Sequence, residues 1–153
     1  MKEFRLISVK DNSLKARYEE SVEATGDVHV ITYENATPVH DDLQEAMRRL
    51  AVHVREMGGF CPESPIMVTG YQRQNVGNTQ LLTIYARFEA SGSANVAVRI
   101  YLGRDDYGYV DMLLEDLSRC EREATLYIEK GKTFEGDTPV TLDEEDKGLL
   151  SAA

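Results

Sequence analysis

Several features that assign a chain to a specialised class are missing from this 153-residue sequence. No stretch approaches the ~18 apolar residues that cross a bilayer. The start, Met1-Lys2-Glu3-Phe4-Arg5-Leu6, alternates charged and apolar residues, whereas a secretory leader needs an unbroken apolar run of about 7–15. There is no terminal cysteine box for lipidation. With two cysteines, Cys61 and Cys120, the chain is not a disulfide-stapled scaffold. Lys and Arg number 17 against 27 Asp and Glu, and the net charge of −10 argues against a uniformly basic nucleic-acid binder. G-x-S-x-G, P-loop, G-x-G-x-x-G, H-E-x-x-H and paired C-x-x-C motifs are all missing. These absences predict a cytoplasmic protein with reduced cysteines that is neither an enzyme nor a cofactor carrier and does not enter membranes.

What is present suffices for a core. The chain is 42% hydrophobic and 29% charged, and at this length it buries about two thirds of its unfolded surface. The acidity is concentrated at one end. Glu135, Asp137, Asp143, Glu144, Glu145 and Asp146 face Lys147 alone. This predicts a single α+β domain over residues 1–133 and an acidic tail over 134–153.

Turn chemistry and periodicity divide the body. Phe4–Val9, Leu14–Glu19 and Val28–Tyr33 read as strands, separated by Lys10-Asp11-Asn12-Ser13 and Thr25-Gly26-Asp27. A helix follows, with Asp41 as its expected N-cap, Gln44 completing a capping box, and Gly58-Gly59 as its stop. Leu43, Ala46, Met47, Leu50, Ala51, Val54 and Met57 form its apolar stripe, and Glu45, Arg48, Arg49, His53 and Arg55 its wet side. Ile66–Tyr71 reads as a short strand and Gln72–Thr79 as a polar loop. Gln80–Glu89 and Ala94–Leu102 read as a hairpin. A second helix runs from about Gly108 to Lys130, with a stripe of Val110, Leu113, Leu114, Leu117, Cys120, Ala124, Tyr127 and Ile128 and a Glu115–Arg119 pair on its wet side.

The expected architecture is therefore two antiparallel three-stranded meanders, each followed by an amphipathic helix, βββα–βββα, with the helices on one sheet face. Val28, Val30 and Tyr33 overlay on Val96, Val98 and Tyr101. Two readings of this stay open: an internal duplication of 1–58 and 64–131, or the look that any meander-then-helix pair shares.

Candidate chemistry is sparse. His40-Asp41-Asp42 has metal-ligand residue types but sits where a helix begins, and capping accounts for it, so no metal is expected. Cys120 lies on an apolar stripe, a poor place for a reactive thiol, while Cys61 lies in a connection. The hairpin carries the best constellation. An odd-length turn places Leu82, Ile84, Ala86 and Phe88 with Ala94, Val96, Val98 and Ile100 on one face. Tyr85, Arg87, Arg99 and Tyr101 then share the other face. Tyr71 and Arg73 are expected at the mouth of the preceding loop, and Arg104, Tyr107 and Tyr109 follow. Interleaved Tyr and Arg suit base stacking and phosphate contact. They equally suit a solvated face with cross-strand packing, or a protein interface.

Two segments carry a resemblance. Ile31-Thr32-Tyr33-Glu34 leads through Thr37 to Val39-His40-Asp41-Asp42-Leu43 and the helix through Val54, and Glu123-Ala124-Thr125-Leu126-Tyr127-Ile128-Glu129-Lys130-Gly131-Lys132 closes the body. Together, over about a third of the chain, they resemble small uncharacterised proteins of tailed phages and prophages, with Asp41 standing where that pattern has proline. The resemblance implies a phage or prophage origin and action inside a bacterial host, and supplies no catalytic residue. The expected function is that of a non-enzymatic accessory protein working by protein–protein contact and forming a dimer. The alternative is a single-stranded nucleic-acid or nucleotide-binding module on the Tyr/Arg face.

Overall fold

The computed structural model describes residues 2–89, 92–103 and 107–132; the acidic tail and Arg104 lie outside them. The elements run β1 (Lys2–Lys10), β2 (Ser13–Ser21), β3 (Val28–Asn35), α1 (Asp41–Gly58), β4 (Ile66–Val76), β5 (Thr79–Glu89), β6 (Ser93–Tyr101) and α2 (Val110–Lys130).

The expectation of two separate three-stranded meanders is overturned. All six strands form one antiparallel sheet in the order β3-β2-β1-β4-β5-β6. The joint is the pairing of β1 with β4, the first strand of each half, through Leu6–Gln72, Ile7–Tyr71 and Ser8–Gly70. Gly70 permits it. A Cβ there would lie 2.6 Å from the Ile7 carbonyl oxygen, so any larger residue would force the two strands apart.

The helices tie the halves together further. α1 follows the first meander but packs chiefly on β4, with lighter contacts to β5 and β6. α2 follows the second meander and returns to contact β1. Its Tyr127 ring also meets Tyr33 of β3 edge-on at 6.0 Å. Each helix thus lies over strands of the opposite half, and the two helices pack on each other. Both cover the same sheet face, that of Phe4, Ile7, Leu14, Ala16, Tyr18, Ile66, Val68, Tyr71, Leu82, Ile84, Ala86 and Ile100. Charged ties close the periphery. Lys2 bridges Glu20 of β2 and Glu129 of α2, and Lys132 holds Asp42 at 2.8 Å and Glu123 at 2.9 Å.

Local chemistry explains the turns. Asp11 and Asn12 adopt φ of 53° and 65° between paired Lys10 and Ser13, the two left-handed positions of a type I′ hairpin. The expected polar loop over Gln72–Thr79 is instead a hairpin. β4 continues to Val76, which pairs with Thr79. Gly77 takes φ 60° at the first turn position, as a II′ turn requires. The polar run had disguised a strand whose Gln72 and Gln74 face away from the helices.

Four helix expectations also shift. The N-cap of α1 is His40, whose Nδ1 accepts from the Asp42 backbone N–H at 3.0 Å. Gln44 reaches Asn12 rather than closing a capping box. On α2, Leu114 is exposed, and the Arg119 Nε is buried with no hydrogen-bond partner among the described residues.

Candidate functional site

Alternation along β5 and β6 decides the geometry of the candidate face. Ile84 lies opposite Val98, and Ala86 opposite Val96, against the helices. The intervening positions pair Leu81–Tyr101, Thr83–Arg99, Tyr85–Ala97 and Arg87–Asn95 on the other side. Tyr85, Arg87, Arg99 and Tyr101 therefore share the face that no described element covers.

Tyr71 and Arg73 are not with them, and this corrects the expectation that they sit at a loop mouth. Tyr71 lies opposite Ile7 and Ile84 on the helix side and is fully buried. Its hydroxyl donates to Glu121 of α2 at 2.9 Å. Arg73, also on that side, places Nε 3.6 Å from the same carboxylate. Burial raises the pKa of Glu121 above the usual glutamate value, and Arg73 opposes that rise. The group at the sheet–α2 boundary is a buried polar tie.

The open face is chemically mixed. Arg87 is held by Glu89, two residues along the same strand, at 2.9 and 2.6 Å. Tyr85 donates its hydroxyl to Gln72 at 3.1 Å. Arg5 pairs with Glu19 and Glu3, and Lys15 with Glu34, all on this face. Arg5, Lys15 and Arg87 are thus matched by carboxylates, which weakens the field a phosphate chain would meet, while Arg17 and Arg99 on the same face have no ion pair among the described residues. The same face also exposes apolar side chains. Val28, Val30, Met67, Val76 and Tyr85 are all on it, with Val30 64% exposed.

A second cluster escaped the sequence reading. His53, expected on the wet side of α1, is 3% exposed. Its Nε2 lies 2.8 Å from Asp116 Oδ2 on α2, and its Nδ1 lies 2.7 Å from the Tyr107 hydroxyl. A carboxylate accepts, so Nε2–H donates to Asp116, and Nδ1 shares a hydrogen bond with the Tyr107 hydroxyl. Burial, with the negative charge of Glu56 nearby, pushes the Tyr107 pKa to about 12. Both imidazole nitrogens are occupied and the ring is enclosed, so no lone pair is offered to a substrate. The arrangement clasps α1 to α2 and to the segment leading into α2. One signal was available: His53 stands three residues past Leu50 and seven past Ala46, on the margin of the apolar stripe.

The two cysteines differ in setting. Burial pushes the Cys120 thiol up to about 12, and Cys61 is exposed. Among the described residues, no group of three or more His, Cys, Asp and Glu is placed to hold a metal ion. Nor, among them, is any helix long and apolar enough to cross a membrane.

A scan against protein-family models, a search of curated proteins and a search of solved structures each return no match. Nothing in these comparisons links the chain to the phage proteins that its two segments resemble.

Proposed function

We propose that this protein is a non-enzymatic accessory factor that works by protein–protein contact through the open face of its sheet, in the phage–host setting that the two-segment resemblance implies. The observation that carries this reading is the placement of Val28, Val30, Met67, Val76 and Tyr85, exposed apolar side chains spread from β3 to β5 on the face that α1 and α2 leave uncovered. Such a face, interspersed with matched charges, has the composition of a non-obligate protein interface. Three of its cations, Arg5, Lys15 and Arg87, are tied to Glu3, Glu19, Glu34 and Glu89, which favours a protein partner over single-stranded nucleic acid.

The test is a photo-crosslinking residue at Met67, compared with one at Val52 on the outer side of α1, in cells of the native host. Recovery of one defined protein from position 67, lost on Val30→Glu and not obtained from position 52, supports the proposal. Band shifts with labelled single-stranded DNA address the alternative. Binding that weakens steeply with salt and on Tyr85→Ala would assign the face to nucleic acid instead.

A further inference from the structure

The sheet ends at β3 and β6, which no further described strand flanks, and the two edges are built differently. In β6 the Leu102 N–H bonds to the Gln80 carbonyl at 2.9 Å. The β5–β6 register runs without a bulge. In an antiparallel ladder, inward and outward backbone groups alternate. The even-numbered residues of β6 therefore bond to β5. Ser93, Asn95, Ala97 and Arg99 turn their backbone N–H and C=O to the outer edge. The devices that normally blunt an edge are missing from this strand: Ser93–Tyr101 contains no proline, no lysine and no bulge, and Arg99 is its one charge.

We propose that β6 pairs antiparallel with β6 of a second copy of this chain, on a two-fold axis through Ala97, so that the sheet continues across two protomers. The register is self-complementary. Ala97 meets Ala97 of the partner subunit as a hydrogen-bonded pair, and Asn95 meets the partner's Arg99 on the open face. On the helix side Val96 meets the partner's Val98, so the half-buried valines at this edge cover one another. The seven residues from Ala94 to Ile100 pair in this register, and no like charges face each other. β3 fits worse. Its longer same-face registers set Glu34 opposite Val28 or Val30 of the second copy, against a carboxylate already committed to Lys15. The inference does not rest on the open-face reading, since it uses the outward backbone groups of β6 and not the exposed apolar side chains of that face.

Light scattering across a concentration series reads it. The wild type is expected near twice the 17.2 kDa chain mass at high concentration. Ala97→Glu sets two carboxylates opposite each other on the axis and is expected to halve that mass with the circular dichroism unchanged. Ala97→Pro removes the edge N–H while leaving the β5 ladder intact, and is expected to do the same. Should the glutamate variant not fold, Ala97→Cys in a Cys61→Ser background decides: hydrogen-bonded partners have Cα atoms about 5.5 Å apart, within disulfide reach, and mild oxidant is expected to give a crosslinked dimer. Arg87→Ala and Tyr85→Ala are expected to leave the mass unchanged. A wild type that stays monomeric throughout overturns the proposal. So does a dimer that Ala97→Glu leaves intact, or one that Tyr85→Ala dissociates.

Discussion

The two faces of this sheet are made from the same strands, yet alternate residues meet different chemistry. On the helix side, Ile7, Tyr71 and Ile84 line up across β1, β4 and β5 and are fully buried. One position along, Ser8 lies opposite Gly70, and Tyr85 and Arg87 stand in solvent-facing polar company. Tyr71 and Tyr85 show what the difference means. Both hydroxyls are hydrogen-bonded, Tyr71 to a buried carboxylate of α2 and Tyr85 to an amide on its own face. The covered tyrosine holds two layers together. The uncovered one leaves its ring edge available. Residue type alone does not separate the roles; the layer above the residue does.

The contrast can be broken most severely from the covered side. Leu50 on α1 and Leu117 on α2 are both fully buried. Leu→Ala at either is expected to cost about 2–5 kcal/mol by denaturant titration, a large share of a domain's total stability. A loss below about 1 kcal/mol would mean the helix layer is not packed as described.

The polar clasp comes next. His53→Ala leaves the Asp116 carboxylate and the Tyr107 hydroxyl without their buried partner. The expected cost is about 1–3 kcal/mol. Because the clasp joins α1 to α2, the double variant with Asp116→Ala should cost less than the sum of the two single changes. Simple additivity would show that the two side chains act separately.

A smaller and pH-dependent effect belongs to Glu121. Burial raises its folded pKa above the ordinary value of 4.5. The folded state therefore holds that proton more tightly than the unfolded chain does. The stability this contributes is full below pH 4.5 and is lost as pH rises through the folded pKa. Glu121→Gln removes the titration, so the melting temperature of the variant relative to wild type should be higher at pH 7 than at pH 4. The reverse order would show that Arg73 and Tyr71 outweigh burial.

The smallest effect sharpens the comparison from the open side. Arg99 is exposed on this face, and Arg99→Ala should change stability by no more than about 0.5 kcal/mol. A larger loss would place Arg99 in the fold's support and not on a surface free for partners.

How much of this was legible depends on how local the cause is. Asp11-Asn12, Gly59 and Gly131 mark their turn and helix ends because left-handed backbone suits those residue types wherever they stand. The β5–β6 register could be read because one slip would expose Ile84, Val96 and Val98 together. The β1–β4 joint could not. It rests on three residue pairs between strands far apart in the chain, and Gly70 looks like punctuation until Ile7 is placed against it. Tyr71 and Arg73 were misplaced for the same reason: with Gly70 and Gln72 around them they read as the end of a short strand at the mouth of a loop, and Glu121, which explains their burial, lies on another element. The candidate face was half legible. Tyr85, Arg87, Arg99 and Tyr101 do share a side, but Glu89, which takes up Arg87, and the exposed Val28 and Val30 were not part of the pattern sought.

The seating of each helix on the other half's strands has a consequence during synthesis. When α1 leaves the ribosome at Gly58, its docking ground on β4–β6 does not yet exist and is complete at Tyr101. At about 5–20 residues per second, its apolar stripe waits roughly 2–9 s without a seat, and β1–β3 wait longer still for α2. The nascent chain in that interval is expected to depend on whatever shields exposed apolar surface near the tunnel exit. Fragments 1–58 and 66–132, each insoluble or unfolded alone, should regain the native fold when produced together in one cell.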